Sequence, residues 1–391
     1  MPARIGPPRT ATTRVVTQIN RTAILDAVRE HGPLTRRQIC ERTGLSSATV
    51  ERLCGALITA GSLIPDGQDG SAGGRPSTLL RYSGAAQLVL AAEVGASIAR
   101  ARLVDLDGRH VAEQIVELDA DETEIGGPAR VEALLTAIEA ALADASTANR
   151  PCRAIGVVVP GLVHDGHVTK TAELGWRDVP LAAIVAGRTG IPTTVENDAN
   201  AIAYGEHVAG AARGASTVAA YVLGVGAGCG LVTGGQILRG ARSAAGEVGF
   251  LFADSSALSR WFTEEGDVEL RIGAAARQGA GADVPAVRAA GELIRRSAAG
   301  DPAAEAAAHE LFDLIAFSLG AVCAVVDPEV VVLAGALVQD SEHVLHELHR
   351  RLTGRLPFEP RLVTAENGSD AALVGVSELV IQQVRGATYL S

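Results

Sequence analysis

The chain has 391 residues, 47% of them hydrophobic and 20% charged, with a formal net charge of −11. That length exceeds one ordinary core, so two or three domains are expected, and the apolar and charged fractions are those of a soluble globular protein. No apolar run reaches the roughly 20 residues that a membrane-spanning helix needs, and Met1 to Thr13 has no apolar stretch of signal-peptide type, so a cytoplasmic protein with no membrane partner is expected. Cys40, Cys54, Cys152, Cys229 and Cys323 are scattered and form no Cys-x-x-Cys pair, which points to buried thiols rather than to a disulfide framework or a sequence-local zinc site.

The charge is unevenly spread. Residues 1–82 hold 11 Arg against 6 acidic residues, a net +5, while the remainder carries −16. A basic head on an acidic body assigns polyanion binding to the head alone. Lys170 is the only lysine, so Arg is the default cation here and its presence alone says little.

In chain order, residues 1–17 read as a disordered arm. Asn20 to His31 places Ile24, Leu25 and Val28 on one helix face, and Gly32-Pro33 ends it. A short helix from Thr35 to about Thr43 starts with a capping box, Thr35-x-x-Gln38. After the Gly44-Leu45 turn, Ser46 or Ser47 caps a third helix that buries Val50, Leu53, Cys54 and Leu57. Two helices joined by a Gly-containing turn form the helix-turn-helix pattern, whose second helix enters the major groove. Leu63-Ile64, a Gly-rich loop from Asp66 to Arg75-Pro76, and Thr78 to Tyr82 then read as a wing. Within a DNA-binding head, Arg36, Arg37 and Arg75 are expected phosphate anchors, and Ser46, Ser47, Thr49 and Arg52 line the base-reading end. The bland alternative is a three-helix module for protein contacts, and the basic charge and the wing favour DNA.

From Leu88 the pattern becomes that of an α/β body. An apolar run from Leu88 to Gly95 precedes a hairpin, Ala101 to Asp105 and Val111 to Leu118 about an Asp107-Gly108 turn. Pro128 to Ala145 is a long helix, and Ala154 to Val159 is a buried strand ending at Pro160-Gly161. The run Ile191 to Val195 ends at Glu196-Asn197-Asp198-Ala199-Asn200, a strand-to-helix junction. An Asn-Asp pair there suits sugar hydroxyls, since the amide donates and accepts while the carboxylate accepts. It equally suits a helix cap, or a general base for group transfer. A second cycle starts with a strand at Val218 to Leu223 and the run Gly224 to Gly230, either an anion-binding concavity or a tight hairpin bend. A helix from about Ala307 to Val326, a strand at Val330 to Leu333, another helix, and a terminal helix around Ala371 to Gln383 follow. His343, His346 and His349 lie near Glu342 and Glu347. Their spacing is not His-Glu-x-x-His, and a solvated helix face is preferred to a metal site.

Several motifs jointly resemble the ROK family of sugar kinases and winged-helix repressors, from about Arg21 to the C-terminus. They are Gly74-Arg75-Pro76, Val159-Pro160-Gly161, Leu174-Gly175-Trp176, Glu196 to Asn200, Leu223 to Gly230, Gly240-Ala241, Ala245 to Gly249, and Asp327-Pro328-Glu329. The resemblance implies an α/β actin-like ATPase fold with two ribonuclease-H-like lobes behind a winged helix-turn-helix. The expected division is 18–83 for the head, 84–205 with 370–391 for the first lobe, and 206–369 for the second. It also implies sugar contacts from Gly161, Asn197, Asp198 and Glu247.

The departures from that family are as informative. Its kinases carry Asp-x-Gly-Gly-Thr as a loop for ATP phosphate and metal, and here Glu93-Val94-Gly95-Ala96-Ser97 stands there. Its second phosphate loop, Gly-Thr-Gly, is Gly224-Val225-Gly226, and a Gly-Gly near the adenosine pocket is Ala334-Gly335. The family's zinc module needs a His where Phe250 stands and a cysteine cluster absent from Leu251 to Val268, so no metal and no cofactor are expected. Its zinc-side Glu is matched only by the candidates Glu264 and Glu265. The expectation is a sugar-responsive DNA-binding regulator, most often a repressor in this family, acting as a homodimer or tetramer on a double-stranded operator. The alternative is an active ATP-dependent sugar kinase with a DNA-binding head, using Asp198 as base.

Overall fold

The computed structural model describes residues 13–69, 77–118, 126–224, 226–263, 265–278, 284 and 286–387. The wing tip with Arg75, together with Val225, Glu264 and most of the expected N-terminal arm, lies outside the described residues.

The head comprises α1 (Thr13–His31), β1 (Leu34–Thr35), α2 (Arg36–Thr43), α3 (Ser47–Thr59), β2 (Leu63–Asp69) and β3 (Ser77–Tyr82). One expectation is corrected: the arm of residues 1–17 is already helical from Thr13, because neither Gly nor Pro interrupts the segment before Asn20. The capping box is formed, with Thr35 N donating to Gln38 Oε1 at 2.8 Å and Gln38 N to Thr35 Oγ1 at 3.3 Å. Gly44 ends α2 in the left-handed region at φ 69°, and Ser46 caps α3. Ile24, Val28, Ile39, Val50, Leu53, Cys54, Leu57 and Leu80 make the core that holds the three helices on the β1-β3-β2 sheet.

The body repeats one design twice. In the first lobe, β4 (Leu88–Val94), β5 (Ile98–Asp105) and β6 (His110–Glu117) form an antiparallel meander, and α4 (Ala129–Thr147) covers it. The strand β7 (Cys152–Val159) follows, then a small sheet of β8 (Leu162–His164), β9 (His167–Lys170) and β10 (Arg177–Val179). The lobe ends with α5 (Leu181–Thr189), β11 (Thr193–Asn197) and α6 (Asp198–Ala209). Its sheet order is β11-β7-β4-β5-β6, with β7 and β11 parallel to β4.

The second lobe has β12 (Thr217–Leu223), β13 (Ala227–Thr233), β14 (Gln236–Ile237), α7 (Asp267–Ala276), α8 (Ala286–Ala298), α9 (Pro302–Val326), β15 (Val330–Gly335), α10 (Ser341–Leu352) and β16 (Arg361–Thr364). Its sheet order, β14-β13-β12-β15-β16, reproduces the same pattern of three antiparallel strands plus two parallel ones. The last helix, α11 (Ala371–Ala387), returns to pack on α6, β4 and β7.

The two crossovers between the lobes are tied together by one residue. Glu206 is fully buried and accepts from the backbone N–H groups of Ala211, Glu366 and Asn367 at 2.8, 3.2 and 3.2 Å, and from Asn367 Nδ2 at 3.0 Å. A carboxylate can sit in that interior because N–H donors replace its hydration. The helix α9 has an 18-residue window of mean hydropathy 1.7, long and apolar enough on composition to cross a bilayer. Leu311, Phe312, Ile315 and Leu319 on it are packed into the second-lobe core.

Candidate functional site: an acidic interlobe cleft

The C-terminal end of β7, the β11–α6 junction and the β12–β13 bend converge on an open cleft of about 780 Å³. Gly161, Asn197, Asp198, Gly224, Gly226 and Glu247 all line it, so six residues singled out from the sequence come together. The bend is a hairpin, closed by Gly224 N donating to Gly226 O at 2.9 Å, and it also forms one wall of the cleft. Gly161 has φ +98°, and a Cβ there would lie 2.4 Å from Lys170 O. Only glycine lets the chain turn so tightly beside β9.

Asn197 is the N-cap of α6, its Oδ1 accepting from Asn200 N at 3.0 Å. Its Nδ2 donates to Gly161 O at 2.9 Å and to Asp198 Oδ1 at 3.0 Å. The amide therefore fixes both the loop and the carboxylate. Asp198 Oδ1 also accepts from Ala199 N at 2.8 Å, and no hydrogen bond among the described residues engages Oδ2. Beneath them, buried Glu196 accepts from Asn200 Nδ2 and from Arg239 Nε, each at 3.0 Å, which anchors the junction from behind.

Two of the cleft's carboxylates, Glu173 and Glu269, carry no signal in the sequence, and Glu265 was only a candidate there. Glu173, Glu265 and Glu269 join Asp198 and Glu247 in the lining. Burial first, and then the neighbouring carboxylates of Glu173 and Glu247, push Asp198 up to about 6. Burial followed by Glu265 pushes Glu269 up to about 7, and burial also raises Glu173 and Glu247. Five carboxyl groups around one cleft offer acceptors while ionised and donors while protonated, which suits a polyhydroxylated ligand. Glu269 lies on a helix after an irregular loop, so spacing gave no signal for it.

The first phosphate-loop segment is not in the lining. Glu93 accepts from Arg100 Nε at 2.9 Å, and Arg100 Nη1 reaches Asp370 Oδ1 at 2.7 Å. Arg102 bridges Asp370 Oδ2 at 2.7 Å and Glu113 Oε1 at 2.8 Å. The loop itself is a tight turn, Gly95 N donating to Ile98 O at 2.9 Å. Ala96 N donates to Glu173 Oε1 at 3.1 Å. Ser97 is exposed.

The zinc segment is likewise held by other means, and its residues do not fit the metal. Phe250 faces Lys170 Nζ at 5.9 Å from the ring centroid. No described residue from 251 to 268 is Cys or His. Asp267, fully buried, instead accepts from Ala253 N at 2.9 Å, from Arg271 Nε at 3.1 Å and from Arg260. Zinc wants a closed set of N and S ligands, whereas here an ion-paired carboxylate staples the loop. Glu265 lines the cleft. The three His of α10 act separately: His343 meets Ser297 Oγ at 3.2 Å and the Phe312 ring, while His346 and His349 are exposed.

On the head, Ser47 and Arg52 are exposed along α3, while Thr49 is half-buried with its Oγ1 2.9 Å from Ser46 Oγ. Arg36 turns toward Glu51 at 3.0 Å, and Arg37 pairs with Glu41 at 3.0 Å. Both arginines are thus within the charge pattern of the head rather than isolated cations.

Head, duplicated lobes and cleft define a winged-helix module joined to an actin-like sugar-kinase body. The chain belongs to the ROK family, whose model matches residues 89–383, and a MarR family model matches residues 17–70. It is similar to the xylose repressor of Bacillus subtilis (strain 168), 24% identical over 94% of this chain and 96% of that one. Matches to further xylose repressors span 58% to 62% of those proteins. A crystal structure of a ROK family transcriptional regulator, a homologue of the E. coli MLC protein, overlaps 96% of this chain and 98% of that one with a TM-score of 0.77 at 19% identity, which shows the shared fold. The ROK hexokinase of Thermus thermophilus covers 77% of this chain and aligns over 100% of its own, with a TM-score of 0.61 and 30% identity.

Proposed function

We propose that this protein is a sugar-responsive transcriptional repressor whose lobes serve as an effector sensor and do not transfer phosphate. The observation that carries the reading is the state of the two sites. The sugar-side junction at Asp198 is open to the cleft, while the matching phosphate loop is closed by the Glu93–Arg100–Asp370–Arg102 ion pairs and by the Ala96–Glu173 bond. A xylose repressor that aligns over nearly the whole chain supports a pentose as the first effector to try. In this reading Gly161 and Asn197 position Asp198, and Asp198 with Glu247 receives sugar hydroxyls. Arg36, Arg37 and Arg75 hold DNA phosphates, and Ser46, Ser47, Thr49 and Arg52 face bases.

The head divides from the body near residue 83, and the lobes divide at the crossovers that Glu206 joins. Two heads in a homodimer or tetramer meet a two-part operator. The sugar must bind more tightly to the lobe arrangement that cannot hold both half-sites, and a hundredfold difference requires about 2.7 kcal/mol, within reach of a few hydrogen bonds. Asp198, raised to about 6, also has the character of a general base, so an ATP-dependent kinase is the second reading. Sugar-dependent ADP release from pure protein, abolished by Asp198→Asn, would establish that reading; sugar binding without ADP release supports the sensor.

A further inference from the structure

The interlobe cleft carries an excess of negative charge that neutral sugar hydroxyls leave unanswered. Its five acidic residues are Glu173 between β9 and β10, Asp198 at the start of α6, Glu247 after β14, and Glu265 and Glu269 before and on α7. Among the described residues no Arg, Lys or His shares that lining. Elsewhere the chain matches its buried and half-buried carboxylates with arginine, as Glu196 with Arg239, Asp267 with Arg260 and Arg271, and Glu347 with Arg351. In the cleft, no hydrogen bond or ion pair among the described residues engages the carboxylates of Glu247 and Glu265. Lys170 stands near Glu247 and Glu269, but it already donates to Thr263 O and faces the Phe250 ring. Arg130 stands near Glu173 outside the lining and donates to Ala96 O at 3.3 Å. Glu269 occupies the space that the absent side chains of Gly226 and Gly249 leave. After burial, Glu173 and Glu247 raise Asp198, and Glu265 and Glu247 raise Glu269. Glu247 belongs to both groups, so the five form one continuous acidic surface.

We propose that this cleft, resting on its proposed role as the sugar sensor, takes a basic sugar, one that carries an ammonium group beside its hydroxyls. An ammonium has three donors and no acceptor, and it brings the charge that the open carboxylates of Glu247 and Glu265 lack. A hydroxyl can donate to the same oxygens, but it neutralises nothing. A bound cation also relieves the repulsion that opposes ionisation of Asp198 and Glu269. A metal ion is the poorer match, because no three of these carboxylates among the described residues converge closely enough to hold one. An organic cation meets them one or two at a time, while its hydroxyls serve Asn197 and Asp198.

The test is isothermal titration of the full-length protein with matched pairs: D-glucosamine against D-glucose, D-galactosamine against D-galactose, and the ring-nitrogen analogue of D-xylose against D-xylose. N-acetyl-D-glucosamine keeps the nitrogen and removes its charge. In at least one pair the basic member should bind at least tenfold more tightly than the neutral one, and added salt should narrow that gap. N-acetylation should abolish it. Glu265→Gln and Glu247→Gln should each lower the basic-to-neutral ratio, whereas a merely structural role would weaken both members of a pair alike. Neutral members that bind as tightly as basic ones in every pair, or a ratio unchanged in both variants, would overturn the inference and leave the sugar sensor standing. Absence of binding by every sugar would overturn both.

Discussion

Replacing Asp198 with Asn separates what this carboxylate costs the fold from what it gives the ligand. Burial and two neighbouring carboxylates raise it from 3.8 to about 6. A raised carboxyl favours folding while it is protonated; that contribution is complete below about pH 3.8 and is lost as the pH rises through about 6. At pH 8 the ionised group therefore opposes folding by about 3 kcal/mol, an upper bound from the difference between the two values. Asn keeps the acceptor for Ala199 N and removes the charge. Thermal unfolding should show the variant more stable by roughly 5 °C at pH 8 and equal to the wild type near pH 4. Sugar affinity should fall at least tenfold in the same protein, because a neutral amide is a weaker acceptor than a carboxylate. A variant that is less stable at pH 8, or whose difference from the wild type does not change with pH, would refute this electrostatic reasoning.

Other consequences follow from the same geometry. Glu206→Ala leaves four N–H donors at the two crossovers without an acceptor and should cost about 3–5 kcal/mol, read as a lowered midpoint in urea. Gly230→Ala places a Cβ 1.9 Å from Ala199 O, so it should push the start of α6 off β13 and weaken sugar binding in calorimetry without touching DNA affinity. Asp267→Ala should make the segment from 251 to 267 protease-sensitive, while a metal chelator leaves the wild type unchanged in the same digest. Arg52→Ala should weaken operator binding by about 1–3 kcal/mol in fluorescence anisotropy, with sugar affinity unaltered.

The head was legible almost residue by residue because its signals are local. A capping box, a glycine in the left-handed region and a serine cap each lie within four residues of what they control, and all three are formed. The first strands and the long helices of the body were legible for a similar reason, being long apolar runs. The small β8–β10 sheet, α5 and the edge strands β14 and β16 are short, and they take their conformation from tertiary neighbours rather than from pattern. At the cleft, Asp198 and Glu247 were found through motifs, but Glu173 and Glu269 were not. Each faces the cleft only because a distant element turns it there. The charge network at Glu93 illustrates the same limit: the substitution was visible in sequence, yet Asp370, which completes the network by pairing with Arg100 and Arg102, is 277 residues from Glu93 along the chain.

In the proposed function, sugar in the cleft releases the head from DNA without chemistry. The direct measurement is fluorescence anisotropy of the full chain on a DNA fragment selected from its own genome, titrated with D-xylose and other sugars, with ADP followed in parallel in the presence of ATP and magnesium. One sugar should weaken DNA binding about a hundredfold, Asp198→Asn should abolish the response, and ADP should not accumulate. Sugar-dependent ADP release that disappears with Asp198→Asn, or DNA binding that no sugar alters, would contradict the proposed function.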